Sequence, residues 1–165
     1  MKSHVRPSNT VDLTETVRRV VDSLAPLAEK IGVEIKLDAP EQFDVKGEGD
    51  ELVQVFENLI ENACKYGQDG QLVEVSVNAD SDSEHAEVRV RDYGPGIAEE
   101  YQRRITERFY RVDVEQSREK QGTGLGLAIV KHILQRHGTR LQIRSVPGDG
   151  AEFCVRLPLS KSEKN

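Results

Sequence analysis

The chain predicts an α/β fold of the α+β kind: a two-layer α/β sandwich, with helices gathered on one face of a mostly antiparallel mixed sheet. Three observations point there. Helical periodicity covers about 13–31, 50–66 and 124–137, whereas apolar and polar residues alternate along HAEVRVRD, putting Ala86, Val88 and Val90 on one face of a strand. PGDG at 147–150 separates two late strand patterns and reads as a hairpin turn.

In order, the chain reads as a helix over 13–31, a strand over 33–37, an extended piece near 43–46 and a helix over 50–66. Strands follow over 73–79 and 86–91, then a short helix near 99–104 and a long charged segment. A helix over 124–137 and strands over 140–145 and 151–157 complete the layer. The polar tail SKSEKN, residues 160–165, has the composition of a disordered end.

At 165 residues the chain suits one domain, large enough to bury about 70% of its unfolded surface. Charged residues are 32% and hydrophobic ones 36%, as in a soluble globular protein. No apolar run approaches the roughly 20 residues of a membrane span, and no signal peptide is visible. A cytoplasmic setting without membrane contact is therefore expected, with any membrane anchor of a parent protein carried elsewhere. The two cysteines, Cys64 and Cys154, lack metal-binding spacing and are expected to be reduced thiols. A net charge of −6 with four Phe and four Tyr gives no support for nucleic-acid binding.

Chemistry concentrates first in ENLIENACKY, residues 57–66. Asn58, Asn62 and Tyr66 recur at a spacing of four, with Lys65 beside them, so they share one helix face. Leu59, Ile60 and Ala63 supply the buried side. The polar stripe thus reads as a pocket wall: carboxamide oxygens are hard ligands suited to Mg²⁺, and an ammonium meets phosphate. Taken alone, the stripe is equally a solvated helix face.

Next, the strand that ends at Asp92 runs into DYGPG. Gly94 and Gly96 let the backbone turn and approach a flat ligand, Asp92 suits an exocyclic amine such as adenine N6, and Ile97 offers an apolar surface to the ring. An ordinary β-turn opened by Asp has the same pattern. Further on, GTGLGL places Gly122, Gly124 and Gly126 at alternate positions where a helix opens, with Thr123 and Leu125 between them. Bare N–H groups at a positive helix end suit an anion. The motif is neither a Walker A loop nor a GxGxxG dinucleotide turn, and alone it is also compatible with a hinge.

Between the glycine segments, residues 101–120 carry six basic side chains (Arg103, Arg104, Arg108, Arg111, Arg118, Lys120) against four acidic ones (Glu107, Asp113, Glu115, Glu119). This local positive charge in an acidic chain suits a triphosphate. The segment, about 105–123, reads as a lid, with 113–121 its most charged part.

In this order and spacing, the four segments resemble the N, G1, F and G2 boxes of the ATP-binding catalytic domain of sensor histidine kinases. The wider superfamily, with its Bergerat-type nucleotide pocket, includes DNA gyrase, the heat-shock 90 chaperones and MutL. The resemblance covers about 12–159, and the wording of the boxes is similar to that of phosphate-regulon sensor kinases. It implies ATP and Mg²⁺ as cofactors, with Asn62 coordinating the metal and Asn58 beside it at the phosphate end. It implies that Lys65 contacts phosphate, Tyr66 packs at the nucleotide, and Asp92 reads the adenine amine, with Gly94 and Gly96 shaping the turn. Arg111, in FYR, resembles the family's phosphate-facing arginine. Gly122, Gly124 and Gly126 would supply the phosphate-binding backbone.

In the hydrolytic branch, the residue four before the magnesium asparagine is typically a water-activating glutamate. Here it is Asn58, and a carboxamide is no general base. The expected reaction is therefore γ-phosphoryl transfer to a histidine, with Asn58, Asn62, Lys65 and Arg111 the catalytic candidates. Glu57 and Glu61 flank the stripe, rotated about 100° from it. None of His4, His85, His132 or His137 is followed by an acidic residue or sits in a long helical hairpin. The resemblance therefore implies a phosphoacceptor on a separate dimerisation domain of the same parent protein, and a response regulator downstream. Residues 1–11 are expected to be a linker following that absent domain, in a piece of a longer protein or in a natural stand-alone domain. The competing readings are a stand-alone serine protein kinase, an ATPase of the superfamily, and a nucleotide-dependent interaction module.

Overall fold

A computed structural model of the protein describes residues 7–67, 70–95, 126–145 and 148–160. The elements are β1 (Thr10–Asp12), α1 (Leu13–Ile31), β2 (Glu34–Asp38), β3 (Asp44–Lys46), α2 (Gly49–Tyr66), β4 (Leu72–Ala79), β5 (His85–Asp92), α3 (Gly126–Arg136), β6 (Gln142–Ser145) and β7 (Ala151–Pro158). The expected short helix near 99–104 and the lid lie outside the described residues, as do Gly96, Ile97, Arg111, Gly122, Thr123, Gly124 and Leu125.

A five-stranded sheet has the order β2-β4-β5-β7-β6. β2 runs parallel to β4, and the other neighbours are antiparallel. The expected two-layer sandwich with a mixed sheet is the observed one. Its inner face follows from alternation: Val73, Val75 and Val77 on β4, Ala86, Val88 and Val90 on β5, and Ala151, Phe153, Val155 and Leu157 on β7 are all buried. The helices cover this face. Leu13, Val17 and Val20 of α1, Leu52, Val55, Phe56, Leu59 and Ile60 of α2, and Val130, Ile133 and Leu134 of α3 complete one continuous core. α2 is the middle helix, packed on β4 and β5 and flanked by α1 and α3.

Local chemistry sets the ends. The Asp12 carboxylate accepts from the Glu15 N–H at 2.9 Å, capping α1. Gly32 closes that helix with φ 80°, a left-handed conformation that favours glycine. The strand after it starts at Glu34 rather than at 33, because Val33 N–H still bonds the helix carbonyl of Ala28 at 2.8 Å.

At the other end of the chain, the expected hairpin is present. Gly148 and Gly150 take φ 85° and 86°, and β6 pairs with β7 from Gln142↔Cys154 to Ser145↔Ala151. Pro147 lies outside the described residues. One strand is an addition. Thr10 and Val11, placed by the sequence in the linker, pair with Lys46 and Val45, forming a second small sheet. Both cysteines are free and buried. Burial pushes each thiol up to about 11, so both are protonated near neutral pH.

His137 ties α3 to the start of α2. It is 5% exposed, and its Nδ1–H donates to Ile133 O at 2.9 Å while Nε2 accepts from Glu48 N–H at 3.1 Å. Glu48 is the N-cap residue of α2 and makes no side-chain capping bond, so the imidazole satisfies a helix-end donor from outside the helix. His137→Ala should therefore cost about 2–3 kcal/mol, from a lost buried ring and a stranded N–H. Urea unfolding reads this directly, and a loss within experimental error would show that the ring is not a strut.

Candidate nucleotide site

The second half of α2 builds one wall. Asn58, Asn62, Lys65 and Tyr66 are half-buried, while Leu59, Ile60 and Ala63 point into the core, as the helical spacing predicts. The start of α3 comes directly onto the carboxamides. A Cβ built on Gly126 would lie 3.3 Å from Asn58 Oδ1 and 3.5 Å from Asn62 Nδ2. The structure thus brings together the last glycine of GTGLGL and the asparagine pair, far apart in sequence. Among the described residues, neither carboxamide has a hydrogen-bond partner, so both are available to a ligand.

Lys65 has a partner that the spacing did not assign: its Nζ lies 2.9 Å from Glu61 Oε2, one turn earlier. That pairing occupies Glu61, while Glu57 is exposed. Neither is placed as a free base beside Asn58.

The other wall is the end of β5. Asp92 ends the buried face of that strand, where a carboxylate replaces the valines before it. It is 5% exposed, and one oxygen, Oδ1, accepts from the Gly94 N–H at 2.9 Å. Burial pushes its carboxyl above the ordinary aspartate range; the N–H groups of Gly94 and Ala151 and the nearby Arg91 oppose this without cancelling it. Such a group has acceptor capacity to spare and little solvent to satisfy it, so it suits an N–H donor on a ligand.

Asp92 meets α2 at Gly67. The missing side chain of Gly67 would lie 2.3 Å from Asp92 Cβ, and that of Gly94 would lie 2.9 Å from Tyr66 O. The carboxylate therefore marks the C-terminal end of α2, and the carboxamides with Gly126 mark its middle. From Gly67 back to Asn58, the helix rise spans about 13 Å. A hydrogen-bonding carboxylate stands at one end of this wall and neutral oxygen donors with a helix N-terminus at the other.

Sequence reasoning missed Gly67 and His137. A glycine immediately after the polar stripe was the visible signal for the first; the second had none, because its partner lies 89 residues away. A separate cluster, Asp80, Asp82 and His85, stands at the β4–β5 turn. Arg156 already bridges both aspartates there.

The fold defines an α/β sandwich of the ATPase type. The chain belongs to the family described as histidine kinase-, DNA gyrase B-, and HSP90-like ATPase, whose model matches residues 47–161. It is 37% identical over 150 residues to the sensor-like histidine kinase SenX3 of Mycolicibacterium smegmatis, covering 91% of this chain and 38% of that protein. It is 46% identical over 130 residues to the phosphate regulon sensor protein PhoR of Pseudomonas aeruginosa, covering 78% of this chain and 29% of that protein. The chain thus spans well under half the length of these relatives.

Among solved structures, the mycobacterial sensor histidine kinase MprB superposes with a TM-score of 0.79 at 28% identity, over 94% of this chain and 99% of that one. Full-length ShkA in complex with AMPPNP gives 0.80 at 28% identity, over 95% and 32%. ATP is the ligand class of this family. No helix among the described residues is long and apolar enough to cross a membrane.

Proposed function

We propose that the chain is the ATP-binding catalytic domain of a sensor histidine kinase, which binds Mg-ATP and passes the γ-phosphoryl group to a histidine on a separate dimerisation domain. A response regulator would receive the phosphoryl group afterwards. The observation that carries the reading is the polarity of the α2 wall: a buried acceptor, Asp92, at one end, and Asn58 and Asn62 against Gly126 at the other.

In this reading Asp92 accepts from the adenine amine, Gly94 keeps its carboxylate aimed, and Tyr66 packs beside the base. Asn62, supported by Asn58, would hold Mg²⁺; two neutral oxygens fit an ion that keeps most of its ligands from water and phosphate. When bound, the ion supplies neutralisation of phosphate charge. The N–H groups at Gly126 and the preceding glycines Gly122 and Gly124 cradle phosphate oxygens, and Lys65 exchanges Glu61 for phosphate. Arg111 is assigned to the phosphates, with Thr123 and Leu125 in the cradle and Gly96 and Ile97 at the base. Catalysis is then positioning and electrostatics.

Hydrolysis is disfavoured by Asn58 in the place of a general base. The test is to mix the chain with ATP and histidine-bearing dimerisation domains of sensor kinases. Acid-labile phosphate on the added domain is expected. Acid-stable phosphate would favour the serine-kinase alternative, and ATP hydrolysis without transfer would favour the ATPase.

A further inference from the structure

Gly67 closes α2 with φ −98° and ψ 16°, a conformation open to residues with side chains. It is therefore not there to make a left-handed cap. Space calls for it. A Cβ at this position would lie 2.3 Å from Asp92 Cβ and 2.7 Å from both Asp92 Cγ and Ala63 O.

Asp92 has nowhere to retreat. A Cβ on Gly150 would lie 2.2 Å from Asp92 O, so the hairpin backbone stands directly behind the strand end. In front, the Gly94 N–H holds Oδ1, and the Cβ that Gly94 lacks would lie 2.7 Å from Gly67 Cα. Three glycines from three different connections therefore crowd around Asp92: Gly150 against its backbone carbonyl, Gly94 beside Oδ1, and Gly67 against Cβ and Cγ. Of them, only Gly67 faces the carboxylate's own carbons from α2, the helix that carries the phosphate-end residues.

We propose that Gly67 is a positioning residue for base recognition: its bare α-carbon lets α2 seat against Asp92 and sets the direction of the carboxylate, so the residue at this position decides purine selectivity. The inference rests on the reading that Asp92 accepts from the adenine amine. A side chain at 67 turns the carboxylate away from the amine and leaves the phosphate end of the wall, at Asn58, Asn62 and Gly126, as it was.

The test is calorimetric titration with Mg-ATP and with Mg-ITP, which carries the same triphosphate but a carbonyl where adenine has its amine. Gly67→Ala should weaken ATP about tenfold, the worth of a charge-assisted hydrogen bond, and leave ITP within about twofold. In an Asp92→Ala background, the same substitution should cost ATP nothing more. Equal losses for ATP and ITP, or full additivity with Asp92→Ala, would overturn the inference while the adenine site stands. Wild-type protein that binds the two nucleotides alike would overturn both. If Gly67→Ala melts too low to titrate, Gly67→Ala/Asp92→Gly must regain most of the lost Tm. Failure to regain it would place the crowding on Ala63 O and reject the positioning role.

Discussion

Asn62→Ala should lower phosphoryl transfer on the order of 100-fold, about 2.7 kcal/mol of transition-state stabilisation, the loss typical of removing one preorganised electrostatic group. The same variant should lose the enhancement of nucleotide binding by magnesium. Its side chain sits in the second half of α2, half-buried, against the bare α-carbon of Gly126, with no hydrogen-bond partner among the described residues. Removing it therefore strands no protein group. Alanine is also the better helix former, so the variant should unfold no earlier than the parent, which separates a lost ligand from a lost fold.

Asn62→Asp refines the test. A carboxylate keeps a hard oxygen at the site but adds a charge beside the phosphates, so metal dependence should persist with altered affinity. The measurement is titration of a non-hydrolysable ATP analogue with and without Mg²⁺. Unchanged magnesium dependence in Asn62→Ala would remove Asn62 from the metal site and the asparagine pair from the mechanism.

Much of this wall was legible because its signals are local. The stripe Asn58, Asn62, Tyr66 declares itself through a spacing of four, and β5 through alternation that ends in an aspartate. Both elements lie within a residue of where those periods put them. β1 was not legible: three residues hold too little pattern, and its strand character comes from pairing with β3, more than 30 residues on.

The same limit applies to side-chain partners. The spacing put Lys65 near Asn62 and pointed its ammonium at phosphate; in the protein as it stands it pairs with Glu61 one turn earlier. Gly67 directly follows a helix, where a left-handed glycine is common, yet its φ is negative and a side chain there would meet Asp92. Periodicity reveals faces, whereas close approaches between distant segments appear only once the segments are packed.

Asp92 leads to the second large effect. Asp92→Asn should weaken ATP binding by about 10–100-fold, the range of a charge-assisted hydrogen bond of roughly 1.5–3 kcal/mol. An amide that presents its NH₂ to adenine N6 opposes donor to donor, and one that presents its oxygen turns its NH₂ toward the backbone N–H groups that the carboxylate accepts from, those of Gly94 and Ala151. Neither orientation satisfies both sides of the site.

The wild-type pH profile should carry the same signature. Burial holds the Asp92 carboxyl above the 3.8 of an ordinary aspartate, and only the ionised form lacks the proton that would oppose the amine. ATP affinity should therefore fall on acidification with a midpoint above 3.8, earlier than an exposed aspartate would allow. The stability linkage has the opposite sense: with the folded pKa raised, the contribution of this group is full below the unfolded value and is lost as pH rises through the folded one. In the acid range, Asp92 thus trades fold stability for recognition. Binding of ATP measured from pH 7 downward, alongside ITP to cancel the titration of the phosphates, isolates the effect. A ratio of ATP to ITP affinity that stayed constant through the acid limb, or an Asp92→Asn variant with the same slope as the parent, would show that this carboxylate does not read the base.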